Sequence, residues 1–520
     1  MRTPSCTLSL FTLIILSACA VQPARPPAAA AMSKVQNLAF IEQYAATSAF
    51  RLGQPKALTS TPQGDAVLFL RSTGPTSFVQ DLWLFDASTG EERVLLTAEQ
   101  VLAGNAEVLT TEELARRERL RMSSRGIASF ELADDGNRLL VPLSGRLFVI
   151  DITSRVLPKV RELKSDAGYP IDPRFTPDGQ RVVCVRDNDL YVIDVDSGGE
   201  TRLTTGGSET VSNGTAEFVA QEEMDRRRGF WLTPDHVVYQ QTDTSKVEKF
   251  TIADAANPGK PAQSWRYPRA GRANADVRLG VMPLAGGPTA WLEWDHAAYP
   301  YLARVYCGED SPLCILVQNR EQTEQRLVRF DAPDRPVTLL TETDPAWINL
   351  SGAHWLKGTG EFLWTTEQGA AGAKDRARLE LRAHDGTLLR TLIDGDADFA
   401  VAGVDWEGSC AVVTRAWDYS ANQVWRYPVR GGEPRPLGEL TPHAFHAPVL
   451  SKHSDLWVCN ETYPDGRGAV VVGRGGLARG TARIIGEIRS VAAQPPFMPA
   501  PEFTTARVGG LDLNAAIIRP

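Results

Sequence analysis

A chain of 520 residues, 43% hydrophobic and 23% charged, can bury a large core, is too long for one ordinary domain and is not a disordered polymer. Its formal net charge of -8 lacks the basic surface that phosphates demand, which excludes nucleic acid as the expected partner and suits a ligand carrying positive charge. At the start of the chain, Arg2 precedes an uncharged apolar run from Leu8 to Leu16. The run is too short to span a bilayer and reads as the core of a signal peptide over 1–18.

Leu16-Ser17-Ala18-Cys19 resembles the lipobox of bacterial lipoproteins, in which Cys19 would become the lipidated first residue. The rival reading is an ordinary signal peptide cut near Ala18 or Ala20. Residues 19–34, rich in Pro and Ala, read as a tether. No later stretch approaches the roughly 18 apolar residues of a membrane-spanning helix. The expectation is a periplasmic or envelope protein that meets the membrane only through a lipid anchor.

After an N-terminal segment at 35–57, one pattern recurs: a Gly- or Asp-containing turn, a short apolar strand, then a second strand ending in Asp. The clearest copies are Gly136–Asp151 (GNRLLVPLSGRLFVID) and Gly179–Asp194 (GQRVVCVRDNDLYVID). Gly136 and Gly179 stand 43 residues apart, as do Asp151 and Asp194. An earlier copy runs from Gln63 to Asp86, and worn copies include Leu327–Asp331, Leu379–Asp385 and Val424–Tyr427. The strands are read as alternating with period two, and a repeat of this length predicts propeller blades. The fold class expected is all-β: a propeller of about eight blades over 58–495, with helical insertions.

Two stretches interrupt the pattern. Thr110–Met122 (TTEELARRERLRM) has a Thr N-cap and early acidic residues, and predicts a helix. Glu217–Arg228 predicts a second charged helix ahead of a new strand beginning at Gly229. Insertions of this kind sit on one face of a propeller, where ligands are met. Within the second, Glu222 and Glu223 are adjacent carboxylates. Neighbours on a helix point about 100° apart, so two of them converge on one ammonium group only near a helix end or a distorted turn.

Setting aside Cys6 and Cys19, five of the seven cysteines remain: Cys184, Cys307, Cys314, Cys410 and Cys459. Cys307 and Cys314 flank a turn-like Gly-Glu-Asp-Ser-Pro-Leu span that suits a hairpin-closing disulfide. No C-x-x-C spacing or histidine cluster marks a metal site, and neither metal nor cofactor is expected. His443 and His446 read as ordinary loop residues.

The run from Glu217 through Glu222-Glu223-Met224-Asp225-Arg226, followed by Gly229-Phe-Trp-Leu-Thr-Pro-Asp235, resembles the double-glutamate motif of the dipeptidyl peptidase IV family of serine peptidases. Tyr267-Pro268-Arg269-Ala270-Gly271, Asn274, Val277-Arg278-Leu279 and Gly126-Ile127-Ala128-Ser129-Phe130 extend the resemblance over most of 40–519. It departs at Glu367-Gln368-Gly369-Ala370-Ala371-Gly372, where relatives often read glutamate-x-serine-glycine-aromatic. The resemblance implies that Glu222 and Glu223 bind the free α-amino group of a peptide. It also implies that an arginine of the first insertion, Arg121 with Arg119 as rival, holds the carbonyl of the second residue. The partner would be a peptide with a free N-terminus, from which the complete enzyme releases Xaa-Pro or Xaa-Ala dipeptides. The resemblance further implies homodimers, built in the family on hydrolase-domain surface.

No serine has glycines two positions before and two after it, so the nucleophile elbow of an α/β-hydrolase is not found. Phe503–Arg519 reads as a hairpin about Gly509-Gly510, which in the family opens the hydrolase domain, so 496–520 is expected to be the start of a truncated peptidase domain. Without a Ser-Asp-His triad this polypeptide is not expected to hydrolyse peptides alone. The alternative is a noncatalytic envelope propeller that binds peptides or proteins.

Overall fold

A computed structural model describes residues 38–109, 117, 124–368, 377–395 and 398–519. The expected leader at 1–18, Cys19 and the expected tether lie outside the described residues, as do Arg119, Arg121 and all of the predicted 110–122 helix except Arg117. Among the described residues, eight antiparallel four-strand meanders follow one another along the chain, at 56–96, 131–163, 171–202, 211–291, 301–343, 352–394, 398–436 and 445–487. They are the blades of an eight-bladed β-propeller. The first strands of blades seven, eight and one adjoin one another, which places the first strand of each blade nearest the axis.

Each blade is apolar on both faces because it is sandwiched between two neighbours. Eight buried clusters result, one for each pair of adjacent blades. The last cluster joins Val67, Phe69 and Phe85 of blade one to Leu456, Val458 and Val472 of blade eight, and so closes the ring. At the same seam, buried Arg71 pairs with Glu92 at 2.7 Å and donates to the Arg489 carbonyl at 2.5 Å. The period-two expectation is corrected here. The second strands Ala66–Ser72 and Cys314–Gln318 are buried at every position, since neither face meets water. The sequence copies at Gly136–Asp151 and Gly179–Asp194 are the second and third strands of blades two and three. Their leading glycines take φ of +74° and +65°, which the tight turn into the second strand requires.

Within a meander, the connections from second to third strand and from one blade to the next lie at the same end. The chain leaves Leu96 of blade one, Asp243 of blade four and Thr366 of blade six at that face. The expected 307–314 disulfide does not form. Cys307 packs in the cluster between blades four and five, while Cys314 is buried on the opposite face of blade five, and both are free thiols. His446 is no loop residue: it lies buried in the first strand of blade eight, Phe445–Leu450, with Nδ1 2.9 Å from the Asn422 carbonyl oxygen. The hairpin is present as read, with Glu502–Val508 paired to Leu511–Ile517.

Candidate functional site

The second insertion does not precede a new strand; it interrupts one. Val211–Asn213 pairs with Gln241 to Asp243, and Phe230–Leu232 resumes the same pairing at Val237 to Tyr239. Residues 214–229 therefore leave the innermost strand of blade four at its middle, opposite Gln240. The Gly214 N–H donates to the Gln240 carbonyl at 2.7 Å, and the Gln240 N–H donates to the Gly229 carbonyl at 2.8 Å. A Cβ on Gly229 would stand 2.3 Å from the Gly214 oxygen, so the two ends of the insertion meet only as glycines. The helix of the insertion contacts the first strand of blade five, Tyr301–Tyr306.

The helix is shorter than expected, covering only Phe218–Glu222. Glu217 caps its N-terminus, accepting from Val219 N at 2.5 Å and Ala220 N at 2.8 Å. Burial nonetheless pushes the Glu217 carboxyl above its ordinary range, against the opposing pull of Arg226 and of those two N–H donors. Glu222 is the last helical residue and Glu223 the C-terminal cap, its N–H donating to the Val219 carbonyl at 2.9 Å. The helix stops there because buried Met224 enters the cluster between blades five and six, and Asp225 turns left-handed at φ +49°. The Arg226 N–H then closes on the Ala220 carbonyl at 2.8 Å.

Two arginines hold this turn to blade five. Arg226, 5% exposed, donates to the Leu302 carbonyl at 3.0 and 3.2 Å and to the Arg228 carbonyl at 2.9 Å. Burial lowers its pKa to about 10, with Glu217 opposing and Arg304 adding to the shift. Arg304, from the first strand of blade five, donates to the Met224 and Ala303 carbonyls. Glu222, Glu223 and Asp225 stay exposed, and none has a hydrogen bond or ion pair to its side chain among the described residues. Three partnerless carboxylates on a braced turn offer what an ammonium group requires.

Tyr267, which follows the hairpin of Lys249–Ile252 and Gln263–Arg266, packs edge-on to Phe218 of the helix at 5.0 Å. Further along that motif, Arg278 lies over the Trp291 ring at 3.9 Å, and Leu279 is fully buried. On the other side, Asp225 and Arg304 edge a cavity of about 1330 Å³ whose walls come from 342–352, 365–368 and 399–401. Glu367, at the departure from the motif, accepts from Asn349 Nδ2 at 2.9 Å there, while 369–376 lie outside the described residues. The sequence reading missed Asp225 and Arg304 as site residues. Asp225 was visible in the acidic run, but nothing local in the sequence marks Arg304. Among the described residues no group of three or more His, Cys, Asp or Glu side chains is placed to hold a metal.

The family model for the dipeptidyl peptidase IV (DPP IV) N-terminal region matches residues 133–455. Among curated relatives, dipeptidyl peptidase 8 of Mus musculus is 24% identical over 299 residues, covering 46% of this chain and 34% of the mouse protein. Dipeptidyl peptidase 8 of Homo sapiens is 30% identical over 198 residues, covering 33% of this chain and 22% of the human protein. The probable dipeptidyl peptidase 4 of Aspergillus flavus is 24% identical over 232 residues, covering 39% of this chain and 28% of the fungal protein. These matches span about a third or less of each relative's own length. The crystal structure of Porphyromonas gingivalis dipeptidyl peptidase 4 superposes with a TM-score of 0.71 at 18% identity, covering 90% of this chain and 65% of that one, which shows a shared fold.

Proposed function

This chain belongs to the family of dipeptidyl peptidase IV N-terminal regions, and on that premise we propose that it is the substrate-selecting propeller of a serine exopeptidase. Glu222 and Glu223 take the free α-amino group of a peptide, and Arg121, or its neighbour Arg119, takes the carbonyl of the second residue. The complete enzyme releases N-terminal Xaa-Pro or Xaa-Ala dipeptides, with its Ser-Asp-His triad in a hydrolase domain that these residues do not include. Export and anchoring through Cys19 belong to the same reading.

The observation that carries it is the placement of the carboxylate pair. It closes a helix that departs from the innermost strand, is braced by two arginines, and has no partner of its own among the described residues. An ammonium group can donate to both carboxylates, whereas an acylated amine brings neither the charge nor the donors. A peptide longer by one residue could not reach both this stop and a nucleophile fixed for the second peptide bond. Exopeptidase selectivity follows from that distance.

Calorimetric titration of the chain with Ala-Pro and with N-acetyl-Ala-Pro tests this. The free dipeptide is expected to bind, the acetylated one not, and Glu222→Ala or Glu223→Ala to weaken binding about ten- to a hundredfold. Equal binding of both peptides would instead favour a noncatalytic peptide-binding propeller.

A further inference from the structure

The cavity that Asp225 edges has a charge pattern of its own. Of its acidic residues, Asp344 accepts from the Ala346 and Trp347 N–H groups at 2.7 and 2.9 Å, and Glu367 is taken by Asn349. Arg378 is neutralised by Asp394 at 2.7 Å, and Arg304 is held by backbone carbonyls. Asp225 alone among those carboxylates lacks a partner among the described residues, and it stands two positions after Glu223. Across the same cavity Trp347 is 53% exposed, an aromatic wall on which an alkyl chain with a cationic end can lie.

We propose that Asp225 and Trp347 form the subsite for the side chain of the peptide's first residue, and that it selects cationic side chains. This rests on the reading that Glu222 and Glu223 hold the α-amino group, because that anchor places the first side chain beside Asp225. The preferred substrates are then peptides beginning with Lys or Arg. The bound cation keeps its aliphatic stem on Trp347 and brings its charge to a carboxylate that otherwise faces solvent. A first-residue glutamate is disfavoured by the same charge.

The test titrates the chain with Lys-Pro, norleucine-Pro and Glu-Pro, repeating each with Asp225→Asn and Glu223→Gln. Asn tolerates the left-handed φ of position 225, so the variant is expected to keep the turn. Lys-Pro should bind about fivefold more tightly than norleucine-Pro, as an exposed ion pair allows. Glu-Pro should bind most weakly, and Asp225→Asn should bring Lys-Pro and norleucine-Pro level. Equal binding of Lys-Pro and norleucine-Pro by the parent chain, or a preference that survives Asp225→Asn, overturns the subsite. If norleucine-Pro binds and Glu223→Gln abolishes it, the amine anchor stands whatever the charge preference. If no dipeptide binds, both readings fall.

Discussion

Glu131 of blade two allows a stability prediction with a definite sign. It lies on a first strand, and its Oε2 accepts the Phe175 N–H at 3.1 Å. Burial pushes its carboxyl from an ordinary 4.5 to about 7, against the pull of Arg174, of that N–H and of Arg228, with Asp172 adding to the rise. Arg174 cannot fully compensate it, being paired with Asp172 at 2.8 Å. Between 4.5 and about 7 the native state therefore holds a proton that the unfolded chain has released. Native protons exceed unfolded ones, so stability falls as pH rises through this window, and the loss is complete above it. The span is worth about 3 kcal/mol at about 1.4 kcal/mol per pH unit. Glu131→Gln keeps an acceptor for Phe175 and removes the ionisation. In urea unfolding followed by tryptophan fluorescence, the variant should be more stable than the parent by about 3 kcal/mol at about pH 8, and nearly equal to it at about pH 4. A variant less stable than the parent at the higher pH would mean that ionised Glu131 gains more from Arg174 and Arg228 than burial costs it, and would refute the argument.

Gly229→Ala places a Cβ against the Gly214 carbonyl and should spread the base of the insertion. The expected cost is about 1–3 kcal/mol of unfolding free energy in urea, with loss of dipeptide binding. Arg71→Met leaves buried Glu92 with only the Arg489 N–H at 2.6 Å and the Arg489 guanidinium at 3.8 Å, which should cost about 1–3 kcal/mol, and adding Glu92→Gln should return part of it. Burial pushes the Cys314 thiol to about 12 and the Cys307 thiol to about 11, so both should resist alkylation in the native chain. Both should label in non-reducing denaturant, where peptide mass spectrometry that finds them linked would contradict the free thiols.

The repeat was legible because it follows the most buried strands. Second and third strands are enclosed on both sides, so Leu139, Val141, Val183 and Val185 had to be apolar, and a turn glycine precedes each pair. First and outer strands carry weaker patterns. Glu200–Arg202 and Arg435–Pro436 are short, polar and partly exposed, so the outer strands left no readable repeat. The insertion at 217–228 was visible from its charge, but its helix was over-extended. Glu-Glu-Met-Asp-Arg suits a helix locally, while Met224 is drawn instead into the interface of blades five and six. The burial of His446 and the separation of Cys307 from Cys314 were hidden for a similar reason, since each depends on which face of a strand meets which neighbour.

The amino-acid sequence by itself determined the blade repeat and the presence of adjacent carboxylates in a charged insertion, because strand burial, turn glycines and charge are local properties of the chain. Only the tertiary structure decided that the insertion departs from the middle of an innermost strand, since that depends on both of its ends pairing with Gln240. It also decided that Arg304, 80 residues beyond Met224, braces the turn and that Asp225 edges a cavity. Such relations arise when the ring closes and brings blades four, five and six together, and no window of neighbouring residues contains them.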